Sequence, residues 1–119
     1  MQTLKYVIPF IPPSNNKFKG RQNAWEYRAL KKEWSQIVGI YCKPRPTIPI
    51  AKSNSTITYY FKTKARHDPD NYNGVFILDG LVAKGIIQDD SFDCINLILK
   101  GAWDKNNPRT EIIIEEIKK

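Results

Sequence analysis

Two proline-rich breaks, Ile11-Pro12-Pro13-Ser14-Asn15-Asn16 and the run carrying Pro44, Pro46 and Pro49, cut the front half of this chain into pieces that each hold one strand or one helix. Proline fixes φ and removes a backbone donor, so neither a helix nor a central strand runs through such a segment. Ahead of the first break, Thr3 to Phe10 is rich in β-branched and aromatic residues and reads as a strand. Between the breaks, Tyr27, Leu30, Trp34, Ile37 and Tyr41 recur at alternating spacings of three and four, which predicts an amphipathic helix from Asn23 to about Lys43. Past the second break, Thr56 to Lys62 alternates as a strand with Ile57, Tyr59 and Phe61 on one face.

The second half repeats the pattern. Asp68 is placed as a helix N-cap, Pro69 at the first helical position and Asp70 in the first turn. Val75, Leu78, Leu81 and Val82 form the apolar stripe of that helix, and Gly85 is its left-handed terminator. Gly74 and Gly80 inside it each cost about 1 kcal/mol against Ala and suggest a close backbone approach. Cys94 to Leu99 and Thr110 to Ile114 read as strands, and the turn-rich link Asp104-Lys105-Asn106-Asn107-Pro108 suits a hairpin between them. The expected fold is α+β in two layers, in the order β-α-β-α-β-β, with two main helices on one face of a small sheet.

At 119 residues and 41% hydrophobic composition, residues 1–119 are expected to form one domain around one core. Nineteen Lys and Arg against twelve Asp and Glu give a net charge of +7, which points to phosphate backbones as partners. No apolar run approaches the roughly 20 residues that span a bilayer, and the first residues lack the apolar core of a signal peptide, so a cytoplasmic protein is expected, with no membrane partner. Cys42 and Cys94 lack further Cys or His at metal-binding spacing and read as small buried hydrophobes.

Against that positive background, His67-Asp68-Pro69-Asp70-Asn71 and Gln88-Asp89-Asp90-Ser91 concentrate four aspartates in two short segments. Converging carboxylates repel one another and call for a cation, typically Mg²⁺ with oxygen ligands. The candidate metal ligands are Asp68, Asp70, Asp89 and Asp90, with Asp68, Asp70 and Asp90 as the catalytic set. Asp68 and Asp70 are two apart and can aim at one ion; Asp90 has to return to them. A helix from Pro69 to Lys84 would run about 24 Å at 1.5 Å per residue, while Gly85 to Asp90 covers at most about 20 Å when extended. Return therefore needs a nearly full reversal along the helix, a shorter or bent helix, or a symmetric partner. Each segment also has a plain structural explanation: aspartates favour helix starts on dipole grounds, and Asp89-Asp90-Ser91 can be a turn. Asp79, in the middle of the helix, reads as solvated or ion-paired.

The ordered set Ile11 to Asn16, Asp68-Pro69-Asp70-Asn71, Leu78-Asp79-Gly80-Leu81 and Lys84-Gly85-Ile86-Ile87-Gln88-Asp89-Asp90, followed by a closing pair of strands, resembles the RusA family of Holliday junction resolvases over nearly the whole chain. That resemblance implies a homodimeric, Mg²⁺-dependent endonuclease of phage or prophage type, which makes paired cuts in four-way DNA junctions. It implies the same carboxylates as metal ligands, Mn²⁺ as a possible substitute and no organic cofactor. The chain departs from the family in one respect. A lysine usually follows the D-x-D-N motif on the helix, and Tyr72, Asn73, Gly74 and Val75 stand there instead. Lys62, Lys64 and Arg66 are the candidates for the missing charge.

Lys17, Lys19 and Arg21 in the first loop, and Lys62, Lys64 and Arg66 ahead of the acidic motif, are the expected phosphate contacts. Asn15, Asn16, His67 and Asn71 are polar neighbours in the same surface, and Phe18 is a candidate wedge between unstacked bases or, equally, a loop anchor. Lys31 and Lys32 read as ordinary solvated charges. Trp25, Trp34, Tyr27 and Tyr41 read as core or dimer contacts. Two other functions use the same residues: a basic nucleic-acid-binding module without catalysis, and a general metal-dependent nuclease acting on flaps or RNA.

Overall fold

The two-residue alternation of Ile57, Tyr59 and Phe61 sets the frame of the fold, because burying that face requires helices on one side of the sheet. A computed structural model describes residues 2–14, 24–69 and 71–117. Its elements are β1 (Thr3–Ile8), α1 (Ala24–Tyr41), β2 (Ser53–Phe61), α2 (Val75–Ala83), β3 (Ile95–Trp103) and β4 (Arg109–Glu116), in the expected order. The four strands form one mixed sheet, β1-β4-β2-β3. Tyr6 and Ile8 of β1, Ile57, Tyr59 and Phe61 of β2, and Ile112 and Ile114 of β4 meet Trp34 and Val38 of α1 and the buried side of α2 in a single core. The alternate residues, among them Lys5, Thr56, Thr58 and Glu111, face the other side, and none of them is fully buried. A mixed sheet that is covered on one face and wet on the other has this alternating pattern.

β3 and β4 do not form the expected hairpin. β2 lies between them, parallel to β3 with Ser53 opposite Ile95 and antiparallel to β4 with Ile57 opposite Ile112. Two strand spacings, about 9.6 Å, separate the strands that the link joins. The turn chemistry is present nonetheless: the Asp104 carboxylate accepts the backbone N–H groups of Asn106 and Asn107 at 3.2 and 3.1 Å. What differs is that the link crosses the end of β2. The Asp104 N–H donates to the Phe61 carbonyl at 2.8 Å, and the Trp103 indole donates to the Lys62 carbonyl at 3.1 Å. Arg109 fastens the crossing, donating to Asp104 at 2.8 Å and Glu111 at 2.7 Å while its guanidinium lies 3.8 Å from the Tyr60 ring centre. A turn signal fixes the turn but not the partner strand, and the central strand, apolar on its inner face, recruits both neighbours.

The second helix is also shorter than expected. It begins at Val75, not Pro69, so Asp68 is not its N-cap. Gly74 sits at φ 86°, in the left-handed region, and a right-handed helix cannot pass through it. Gly74 is therefore the N-cap and offers no side-chain bond, while the side-chain oxygen of Asn73, one residue earlier, accepts the Val75 N–H at 3.0 Å. At the other end Gly85, at φ 72°, completes a Schellman motif, in which Ile86 N–H donates to Leu81 at 2.9 Å and Gly85 N–H to Val82 at 3.1 Å. The helix of nine residues is about 13.5 Å long rather than 24 Å.

Gly80 is where the two helices touch. A Cβ there would lie 2.6 Å from Val38 Cγ2, so the expected close approach is real. Gly80→Ala should therefore destabilise the protein by about 1–3 kcal/mol in urea melts, outweighing the roughly 1 kcal/mol of helix propensity it gains. Adding Val38→Ala should give part of the loss back, and a stabilised single variant would refute the tight seam. Of the four aromatics placed in core or dimer contacts, Trp34 is core, whereas Trp25 is 81% exposed. Cys42 is fully buried and its thiol pKa is pushed up to about 12 by burial, while Cys94 is half-buried; both are free.

Candidate metal and nucleic-acid site

The segment between β2 and α2 is held by ring packing. His67 stacks on Phe61 with centroids 3.7 Å apart and planes 2° from parallel. Tyr72 stands edge-on to both, 5.0 Å from Phe61 and 5.7 Å from His67. These anchors fix the chain on either side of the acidic motif, and between them it turns tightly. Asn71 N–H donates to the Asp68 carbonyl at 3.0 Å, and Tyr72 N–H to Pro69 at 3.2 Å. His67, expected as a polar neighbour of the phosphate contacts, is thus half-buried with one ring face covered.

Asp68 lines a cavity of about 50 Å³ floored by Tyr59, Phe61 and Tyr72 and walled by Leu99 and Gly101. At about 10–15 Å³ per probe sphere this admits a few waters or a hydrated ion, and no nucleobase. The Asp68 carboxylate accepts the Arg66 Nε–H at 3.0 Å, in an ion pair whose arginine is 88% exposed and which contributes little to stability. In the same turn the Asn71 side-chain oxygen is buried without a hydrogen-bond partner among the described residues. A buried oxygen with no donor is a group that a hard cation or a water would satisfy. A broader groove of about 400 Å³ shares Phe61, His67 and Gly101 with this cavity and continues to Lys64 and Trp103. Lys64 Nζ lies 4.4 Å over the Trp103 ring, and Lys62, Lys64 and Arg66 are all exposed.

The second acidic segment does turn back along α2. Ile86 and Gln88 exchange backbone hydrogen bonds with Ile50 at 3.0 and 2.9 Å, after which Asp90 reaches the level of Leu78, one turn inside the helix start, where both line another surface hollow. The shortened helix makes this return easy. Asp89 and Asp90 are exposed. Among the described residues no three His, Cys, Asp or Glu side chains gather closely enough to hold an ion; Asp70 lies outside the described residues. So do Asn15, Asn16, Lys17, Phe18, Lys19 and Arg21.

Lys31, read from sequence as a solvated charge, belongs to this region. Its ammonium is 2.8 Å from Asp79 Oδ2 and 5.5 Å over the Tyr27 ring. The hydrogen-bonded Asp79 carboxylate raises its pKa, and Asp90 adds to the effect. A lysine from α1 thus stands beside the second acidic segment. The sequence carried a signal for it, since an aspartate on a largely buried helix requires a cation from the neighbouring helix. No protein-family model matches the sequence, and no curated protein matches it either.

Proposed function

We propose that this chain is a Mg²⁺-dependent endodeoxyribonuclease of RusA type, cutting four-way junctions and related branched DNA in symmetric pairs as a homodimer, during recombination, repair or phage replication. The observation that carries the reading is the Asp68 turn: a carboxylate lining a water-sized cavity, a buried Asn71 oxygen in the same turn with no hydrogen-bond partner among the described residues, and three exposed cations on the approach. Asp68, Asp70 and Asp90, with Asp89 adjacent, would hold the ion, and Mn²⁺ would substitute for Mg²⁺. When bound, the ion supplies positive charge against the charge developing on the phosphate. Lys62, Lys64 and Arg66 would hold the DNA backbone and are the candidates for the charge that the family's helix lysine would provide; Lys31, paired with Asp79, adds a further cation near the second acidic segment. Among the described residues no helix is long and apolar enough to cross a membrane, and a cytoplasmic setting fits a DNA substrate.

A panel of synthetic four-way junction, flap, duplex and single strand, each with and without Mg²⁺, tests the proposal. Symmetric, Mg²⁺-dependent cutting of the junction alone is expected, and equal cutting of every substrate would replace it with a general nuclease. The Arg66–Asp68 ion pair favours one second reading, a binding module whose carboxylates are structural; binding without cutting would establish that. Replacing Lys64 and Arg66 together with Ala should weaken junction binding and reduce the slope of log K against log[salt] by about two. An unchanged slope would remove these residues from the interface.

A further inference from the structure

One end of the sheet holds an aromatic groove that the carboxylate chemistry at Asp68 does not use. Trp103, the last residue of β3, stands opposite Phe61, the last of β2, and remains 48% exposed. Its indole N–H is already satisfied by the Lys62 carbonyl at 3.1 Å, so the exposed part of the side chain offers ring surface rather than a donor. Trp103, Phe61, His67 and Lys64 line a groove of about 400 Å³ whose other walls are small residues, Gly101 and Ala102 among them. That volume falls within the range of about 300–1,000 Å³ that takes organic ligands. No carboxylate lines it among the described residues, and Lys62 and Arg66, two positions either side of Lys64, are exposed. Rings set among cations are the combination that holds single-stranded nucleic acid, since bases stack on the rings and the cations take the phosphates.

We propose that this groove takes one unpaired nucleotide of a branched DNA, with its base stacked on Trp103 and its phosphates held by Lys62 and Lys64; the choice of DNA as the ligand rests on the nuclease reading. A base inside a duplex has both faces covered by its neighbours and cannot lie on the indole, so the groove selects a place where pairing is interrupted. Every base has a face to stack, and the site is therefore tolerant of sequence. In the free protein Lys64 Nζ lies 4.4 Å over the Trp103 ring. A cation on an exposed ring is held more weakly than a stacked base, so an arriving base displaces the ammonium, which then meets a flanking phosphate.

Gly101 marks the route from the groove to the Asp68 cavity, because it lines both. It has no positive φ, and a Cβ there would meet only Phe61 Cε2 at an ordinary 3.6 Å, so the fold itself does not require glycine. Glycine inside a strand weakens it and marks a place where a ligand comes close. Phe61 and His67 are also common to both hollows. A strand with its base in the groove would lay the adjoining phosphate towards Asp68.

Fluorescence anisotropy on the full chain without Mg²⁺ tests this, with a duplex that carries a single unpaired thymidine and the same duplex with that base removed to leave an abasic residue. Wild type should prefer the thymidine over the abasic residue by roughly 5- to 150-fold, the worth of one stacked base. Trp103→Leu should abolish that preference, whereas Trp103→Phe, which keeps a flat ring but loses the indole N–H, should retain most of it. Equal wild-type affinity for the two duplexes overturns the proposal, and that comparison needs no variant to fold. So does a Phe variant that behaves like the Leu variant, since the part played by Trp103 would then be its hydrogen bond to Lys62. Nothing is cut in this assay, so the two readings fail separately. Stacking by a protein that never cleaves keeps the groove and removes the nuclease; junction cutting without a preference for the unpaired base keeps the nuclease and removes the groove.

Discussion

Replacing Asp90 with Asn is expected to lower Mg²⁺-dependent junction cutting by at least about 100-fold, the scale on which removing one preorganised electrostatic group acts, with no comparable change in stability. Asp90 is exposed, so the amide fits where the carboxylate was and only the charge is lost. Asp68→Asn should have a similar effect on cutting with a small loss of local order, because Arg66 loses its partner at 3.0 Å. Asp79→Asn should behave in the opposite way. It removes the partner of Lys31 at the seam between the two helices, so melting temperature falls first and cutting follows only as Lys31 is displaced. Single-turnover cleavage at saturating protein, measured beside thermal melts, separates the two classes. Full cleavage by Asp90→Asn would take the second acidic segment out of the chemistry.

Phe76→Ala is expected to have the largest effect on stability, about 3–5 kcal/mol, or a fall in melting temperature of some 4–8 °C for each kcal/mol in a domain near 100 residues. α2 has only nine residues, and a helix that short is not stable in water by propensity. It exists because Phe76, Ile77, Leu78, Gly80 and Leu81 are buried. Phe76 is 2% exposed and lies against Tyr27 of α1, with ring centroids 5.6 Å apart. Emptying that position loosens both the α1–α2 contact and the crossover that delivers β3 beside β2. Urea melts check the value, and a loss below about 1 kcal/mol would show that the core collapses around the gap without strain.

The parts of the fold legible in the sequence were those set by local periodicity. Ile57, Tyr59 and Phe61 alternate and are buried; Leu30, Trp34 and Ile37 recur at helical spacing and pack on the core. Gly85 is legible as the terminator of α2 because a helix C-terminus needs a left-handed residue within one turn. β2 begins earlier than expected, at Ser53, because Ser53 and Ser55 satisfy each other by a 2.9 Å hydroxyl bond and so are buried despite their polarity. The N-terminus of α2 differs from the expected one because Asp68-Pro69 and Asn73-Gly74 are competing start signals. The ring packing of Tyr72 on Tyr59 and Phe61 holds the first of them in a turn. In the candidate site, the exposed basic approach and the two acidic segments were legible from composition alone. That Lys31 is the cation Asp79 calls for, and that His67 stacks on Phe61, were not, since each depends on an element distant in sequence.

The sequence by itself determined which segments are strands and helices, which faces they bury, and that acidic and basic residues are concentrated in separate short stretches. All of these follow from period, backbone chemistry and charge within a few residues of one another. Only the tertiary structure decided that β2 stands between β3 and β4, that α2 is short enough for Asp90 to return along it, and that β3 is left as an apolar edge. Those outcomes depend on which strand wins a place beside the central one and on side chains meeting across long sequence separations. A short stretch of chain gains no energy from either until the whole core has closed.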